Sequence, residues 1–139
     1  MGGHDLRVPL TETVPGFDGA ALAVHRLGAG PPVLLLHGLF SSAEMNWLRF
    51  GHAACLADAG LEAIMPDLRA HGHSAAPHDP PAYPADVLVR DALALAGQLR
   101  LVPGGFDLAG FSLGARTAAG AVIAGLRPRR LVLAGMGIE

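Results

Sequence analysis

The sequence predicts an α/β fold, in which a mostly parallel β-sheet carries helices on both faces. Strand-length apolar runs, such as residues 33–36, alternate along the chain with longer segments of helical spacing. This alternation is typical of parallel sheets. A Gly-x-Ser-x-Gly turn at residues 110–114 also joins one apolar run directly to an alanine-rich segment. A turn that joins a strand to a helix in this way fits the same architecture, with about six strands expected.

The first half of the chain predicts a hairpin followed by two buried strands. Residues 6–14 and 20–27 have an extended pattern, and residues 15–19 between them are typical of a turn. The continuous apolar run 33–36 indicates a central strand buried on both faces. A single helix is expected over about residues 43–59, and a second buried strand over 61–65. Cys55, the sole cysteine, lies in that helical pattern and is expected to be buried.

The second half predicts two more strand–helix steps. Residues 68–84 are rich in His, Pro and Gly and indicate a loop, and residues 83–100 have helical spacing. A strand is expected over 106–109 and a helix over 115–126, which Pro128 would stop. The last predicted strand spans residues 131–134.

Composition excludes several classes of function. The net charge is −2 and all ten basic residues are arginine, which argues against binding to nucleic acid or to an anionic membrane surface. The absence of lysine excludes a Walker phosphate loop and Schiff-base chemistry. Although 51% of the residues are hydrophobic, no run approaches the roughly 18 apolar residues of a membrane-spanning helix. Residues 1–7 lack an apolar signal core, so a cytoplasmic protein without cofactor or metal is expected.

The turn at 110–114 has the residues of a nucleophile elbow. Such a turn places a serine, here Ser112, where the backbone reverses and exposes its hydroxyl. Gly110 and Gly114 have no Cβ, which allows the strand and the helix to approach closely, and glycine tolerates the unusual dihedral angles expected of such a turn. The first N–H groups of the helix point toward the serine and can stabilise a developing oxyanion.

Three stretches in this order resemble the N-terminal part of the α/β-hydrolase fold superfamily: residues 37–40 (HGLF), residues 66–74 (PDLRAHGHS) and the elbow. The resemblance implies that Ser112 is the nucleophile and that the backbone N–H of Leu113 is one oxyanion donor. It implies a second donor from the loop after residue 38, with Leu39 favoured over Phe40. A small apolar, ester-like substrate is the expected ligand.

No histidine follows Ser112, whereas the superfamily order is Ser, then Asp or Glu, then His. The chain is therefore expected to be the N-terminal part of a single hydrolase domain over 1–139, truncated before the triad acid and histidine and nearly inactive alone. Glu139 is a weak candidate for the acid. The apolar strand 131–134 would be an uncovered edge, so self-association or pairing with a C-terminal half is expected.

Two alternatives stay open beside the hydrolase. The chain could be a non-catalytic pseudo-enzyme that binds a small ligand, or half of a split protein that a partner chain completes. A metal hydrolase is a weaker alternative. His71, His73 and His78 lie near Asp67 in sequence, but a binuclear pattern needs Asp at 75 and His at 76, and both are alanine. His37 is expected to brace its loop rather than act as a base.

Overall fold

A computed structural model of the chain describes residues 8–135 as a six-stranded sheet flanked by helices. The strands are β1 (Leu10–Pro15), β2 (Ala21–Gly28), β3 (Pro32–Leu36), β4 (Glu62–Pro66), β5 (Asp107–Phe111) and β6 (Arg130–Ala134). Their order in the sheet is β1-β2-β4-β3-β5-β6. The hairpin strands β1 and β2 are antiparallel, β2 is antiparallel to β4, and the remaining pairs are parallel. The predicted mostly parallel α/β sheet is confirmed.

The helices are α1 (His52–Asp58), α2 (Val87–Gln98) and α3 (Leu113–Ile123), with a short π-type turn at Glu44–Leu48 and a 3₁₀ turn at Pro80–Ala82. The single helix expected over 43–59 is wrong, because Gly51 adopts φ 85° and separates the π-type turn from α1. The helix expected over 115–126 begins earlier, at Leu113, and ends at Ile123. Gly125, at φ 121°, turns the chain away before Pro128 is reached.

Helices cover both faces of the sheet because successive residues of each buried strand point to opposite sides. In β3, Leu34 and Leu36 face α2 and α3 in a core that includes Phe106, whereas Val33 and Leu35 face α1. The alanines of α3 allow this helix to lie close to the sheet. Both core clusters are apolar and bury β3 from both sides, as the continuous apolar run predicts.

A buried arginine connects the hairpin turn to α2. The Arg69 guanidinium donates to Asp91 Oδ1 at 2.7 Å and to Asp18 Oδ1 at 2.8 Å, and its side chain is fully buried. It also lies 4.8 Å from the ring centroid of Phe17. Because a buried cation is stable only when it is paired, this network fixes the loop after β4 against both the hairpin and α2.

Two further expectations can be compared with the described residues. Cys55 is exposed, so the expectation of a buried thiol is wrong. The physical reason is its position on α1, because Cys55 lies two residues after the buried Ala53 and therefore on the opposite side of the helix. Among residues 8–135, no helix is both long and apolar enough to cross a membrane.

Candidate active site

The elbow is a strained turn between β5 and α3. Ser112 adopts φ 58° and ψ −115° and occupies the N-cap position of α3, but its side chain does not cap the helix. A Cβ at Gly110 would overlap the carbonyl oxygen of Gly114, and one at Gly114 would overlap the carbonyl oxygen of Leu36. Only glycine therefore permits the close contact of β3, β5 and α3 at this point.

The loop after β3 packs directly against this turn. A Cβ at Gly38 would lie 3.5 Å from the Cβ of Ser112, so the two backbones are in near contact. The N–H of Gly38 donates to Asn46 Oδ1 at 2.7 Å, which fixes the loop to the π-type turn. Phe40 has φ 59°, so the chain reverses sharply beyond Leu39. The resulting tight loop places Leu39 beside Ser112 at the same edge of the sheet.

His37 is fully buried and braces this edge. Its Nε2 accepts the N–H of Leu68 at 2.9 Å, and its Nδ1 donates to the carbonyl of Gly38 at 2.7 Å. Burial lowers the pKa of His37, so the ring is neutral. Both ring nitrogens are thus engaged between β3 and the loop after β4, and His37 is not available as a base for Ser112.

A cavity of about 200 Å³ opens beside the serine and is lined by Leu39, Ser112, Leu113 and Arg116. Within residues 8–135, neither the N–H of Leu39 nor that of Leu113 donates a hydrogen bond. Phe40 does not line this cavity, and 88% of it is exposed to solvent. The structure therefore brings Ser112, Leu39 and Leu113 together, and the side chain of Phe40 lies outside this cavity.

Arg116 and Asn46 belong to this site, but the sequence did not single them out. Arg116 could have been found from helical spacing, because a residue four positions after Ser112 lies on the same side of the helix. Asn46 could not, because its contact with Gly38 depends on how the π-type turn packs.

No side chain among residues 8–135, histidines included, forms a hydrogen bond with the Ser112 hydroxyl as a general base would. Glu139, the weak candidate for the acid, lies outside the described residues.

The loop after β4 is organised by Asp67. Burial by itself would raise the pKa of this carboxyl, but hydrogen bonds from His25 and from the N–H groups of His73 and Ala43 outweigh it and lower the pKa to about 2. His71 and His78, grouped with Asp67 in the sequence, do not join it. The histidines that lie beside Asp67 are instead His25, which is buried on β2, and His73, which is exposed to solvent.

Comparison with known proteins agrees with this architecture. A profile described as the alpha/beta hydrolase fold matches residues 31–129, which run from the residue before β3 to the residue before β6. The chain belongs to the alpha/beta hydrolase fold family.

Several relatives within this family are epoxide hydrolases. The enzyme of Caballeronia sordidicola is 35% identical over 102 residues, which are 70% of this chain and 30% of that protein. An epoxide hydrolase of Siraitia grosvenorii is 36% identical over 90 residues, which are 65% of this chain and 28% of that protein. The chain thus spans less than a third of the length of these relatives.

Solved structures of the family superpose well. An evolved variant of potato epoxide hydrolase has a TM-score of 0.82 at 26% identity, covering 96% of this chain and 41% of that one. An esterase from Exiguobacterium antarcticum has a TM-score of 0.79 at 27% identity, covering 91% of this chain and 45% of that one. The alpha/beta hydrolase relatives therefore include proteins named for two different substrates.

Proposed function

We propose that this chain carries the nucleophile and the oxyanion site of a serine acyl hydrolase. The observation that carries the proposal is the backbone of Ser112, at φ 58° and ψ −115°, on a turn where two glycines admit the close contact with β3. Strained turns of this kind are retained mainly where function needs them. Ser112 would attack an ester carbonyl and become acylated, and water would then release the acid.

The N–H groups of Leu39 and Leu113 would bind the oxyanion. Both residues line the cavity beside Ser112, and neither N–H is used by another acceptor within residues 8–135. Leu113 is also the first residue of α3, where the helix dipole favours negative charge. Loss of one such donor typically lowers turnover by about 10²–10³.

A small substrate with an apolar acyl or alcohol part would suit the walls of the site. Leu39 and Leu113 line the cavity, and Phe111 lines a neighbouring apolar space of about 270 Å³. The remaining walls of that space come from Met45, Asn46, Trp47, Phe50 and His52. Such surfaces favour aliphatic or aromatic groups.

The base that deprotonates Ser112 would come from polypeptide other than residues 8–135, whether in the same chain or in a partner. We therefore expect the 139-residue chain to acylate slowly and to turn over negligibly by itself. The amides of the oxyanion site would still make acylation of Ser112 faster than acylation of other serines.

Epoxide hydrolysis is the second candidate, because the matched relatives carry that name. The chemistry of the side chain at position 112 argues against it. Attack of a serine oxygen on an epoxide carbon forms an ether, which has no carbonyl for water to attack, whereas attack on an ester forms an acyl-enzyme that water can hydrolyse. A carboxylate nucleophile would solve this problem, but Asp67 is 1% exposed and both of its oxygens accept hydrogen bonds.

Labelling with a fluorophosphonate tests the proposal. Ser112 Oγ should form a bond to phosphorus as fluoride leaves, which gives one adduct per chain by intact mass and peptide mapping. Ser112→Ala should abolish this adduct. Ser74→Ala is not a suitable control because Ser74 is buried in a hydrogen-bond network. Ser42→Ala is the matched variant and should label normally, because it removes a half-buried hydroxyl outside the elbow whose hydrogen bond, from the N–H of Met45, is exposed to solvent.

Parallel incubations with nitrophenyl acetate and styrene oxide separate the two substrate classes. We expect an acetyl adduct on Ser112 that hydroxylamine removes, and no diol from styrene oxide. Absence of any adduct on Ser112 in a folded chain would favour the non-catalytic alternative. Production of diol that persists in Ser112→Ala would favour epoxide hydrolysis by another route.

A further inference from the structure

Three side chains that the proposed chemistry does not use converge at the start of the loop after β4. His25 comes from β2, Asp67 directly follows β4, and His73 lies six residues further along the loop. His25 Nε2 is 2.9 Å from Asp67 Oδ2, and His73 Nδ1 is 3.7 Å from the same oxygen. One ligand atom from each residue lies within 4.8 Å of the other two. Two imidazoles and one carboxylate form a donor set that suits zinc-like cations better than magnesium or calcium.

Asp67 is held in place before any cation arrives. Its Oδ1 accepts the N–H of Ala43 at 2.9 Å and its Oδ2 accepts the N–H of His73 at 3.0 Å. Gly72, at φ 51°, lets the loop wrap around the carboxyl group, since a Cβ there would overlap it. The carboxylate therefore has a fixed position at the floor of the cluster.

His25 has the outer hydrogen bond that metal-binding histidines usually need. Its Nδ1 lies 2.8 Å from Thr11 Oγ1 on β1. A threonine hydroxyl can donate or accept, so the ring can carry its proton on Nδ1, donate it to Thr11 and present the Nε2 lone pair to a cation. The cation would then replace the present hydrogen bond between Nε2 and Asp67.

The two separations from Asp67 Oδ2 are close to those between the ligands of a bound zinc ion. Ligand atoms bound at about 2.0–2.1 Å in a tetrahedral zinc site lie about 3.3 Å from one another. The separations of 2.9 and 3.7 Å bracket this value. The His73 side chain is 81% exposed, so it can rotate inward, and it leaves a route for the cation and for a water ligand.

We propose that His25, Asp67 and His73 form a binding site for a divalent cation of the zinc type. The site would join the hairpin strand β2 to the loop after β4. Because His37 binds the N–H of Leu68, the residue after Asp67, a cation here would also stabilise the edge of the sheet that holds Leu39 and Ser112. Its role would be structural, and it does not depend on the proposed acyl chemistry.

Calorimetric titration of the chelator-treated 139-residue chain with Zn²⁺ tests the site. We expect one saturable site and a rise in the melting temperature that EDTA reverses, with no response to Mg²⁺. Substituting His73→Ala, which removes an exposed ligand, should leave the fold intact and weaken binding by more than the roughly 10–100-fold that outer partners contribute. His78→Ala is the matched control, since it removes an exposed histidine of the same loop outside the cluster, and it should bind as the parent does.

Thr11→Val distinguishes a built site from chance capture by surface histidines. It removes the partner of His25 Nδ1 while keeping the side-chain size, and we expect binding to weaken by about 10–100-fold. Absence of saturable Zn²⁺ binding to the parent would overturn the proposal. So would binding that His73→Ala leaves intact, binding that Thr11→Val leaves at full strength, or equal weakening by His78→Ala.

Discussion

Ser112 has a backbone conformation that residues with a Cβ rarely adopt. The two glycines of the elbow permit this turn because they leave room for neighbouring backbone, not because their own dihedral angles are unusual. Neither Gly110 nor Gly114 has a positive φ. Both are needed because a backbone carbonyl of the elbow or of β3 occupies the position of their missing Cβ. The pentapeptide predicted this close approach, whereas the unusual dihedral angle of the turn lies at Ser112 and not at the glycines. Hydrogen-bond partners such as Asn46 for Gly38 could not be predicted, because residues between them fold into an irregular turn.

Substituting Gly114→Ala should destabilise the chain because the new methyl group would overlap the carbonyl oxygen of Leu36. This carbonyl belongs to the backbone and cannot move aside as the end of a flexible side chain can, so we expect a loss of about 1–3 kcal/mol in the free energy of unfolding. Gly97→Ala is the control, since Gly97 lies in α2 with no atom within 4 Å of the new Cβ. That variant should gain about 0.5–1 kcal/mol. Denaturant unfolding measures both, and equal stability of the two variants would show that the elbow is an ordinary turn.

At the scale of elements, apolar runs predicted the strands, whereas a local break divided one of the predicted helices. Each expected strand is present within the described residues, and burial on two faces accounts for the continuous apolar runs of the central strands β3 and β4. The helix over 43–59 failed at Gly51, where one residue with positive φ divides an otherwise periodic segment. The same division shortened α1 to seven residues.

Long-range polar contacts between elements were beyond the sequence pattern. The sequence did not identify Asp18 and Asp91 as the partners of Arg69, since these are 51 and 22 residues away. The partner of Asp67, His25, is likewise 42 residues distant. Such pairs depend on the packing of the hairpin against α2 and β4, which no local pattern encodes.

The contact between the hairpin turn and Arg69 predicts a pH dependence of stability. The hydrogen bond from the Arg69 guanidinium lowers the pKa of Asp18 to about 2, whereas the pKa of an aspartate in an unfolded chain is about 3.9. The unfolded chain therefore binds a proton more readily, so this contribution is present above about pH 4 and is lost as pH falls toward about 2. Asp18→Asn should make the fall in melting temperature between those values shallower.

Asp58→Asn is the control for that titration. It removes one negative charge from an exposed carboxylate at the end of α1 that forms no hydrogen bond within residues 8–135. Its melting temperature should follow the same pH profile as the parent. A parent-like slope in Asp18→Asn would contradict a role for the Asp18–Arg69 contact in acid stability.

At the scale of the whole molecule, the sheet is covered unevenly. The antiparallel hairpin of β1 and β2 forms one edge of the sheet, and helices cover β3 and β4 on both faces. At the other edge, all five residues of β6 are exposed, and no strand among residues 8–135 pairs with its outer side. An apolar strand with unpaired N–H and C=O groups is a template for pairing with another chain. The apolar run 131–134 predicted this feature from sequence alone.

We propose that the chain self-associates through β6 when no other polypeptide covers it, and Val132→Lys tests this. Val132 is 58% exposed, and a charge on this strand should oppose pairing of its apolar edge with a second copy. The parent should show a sedimentation coefficient that rises with concentration, and Val132→Lys should remain monomeric. Val102→Lys adds the same charge at a residue that is 65% exposed in the loop before β5, so it should associate as the parent does. A parent that stays monomeric at every concentration, or a Val132→Lys chain that associates equally, would show that β6 is not the contact.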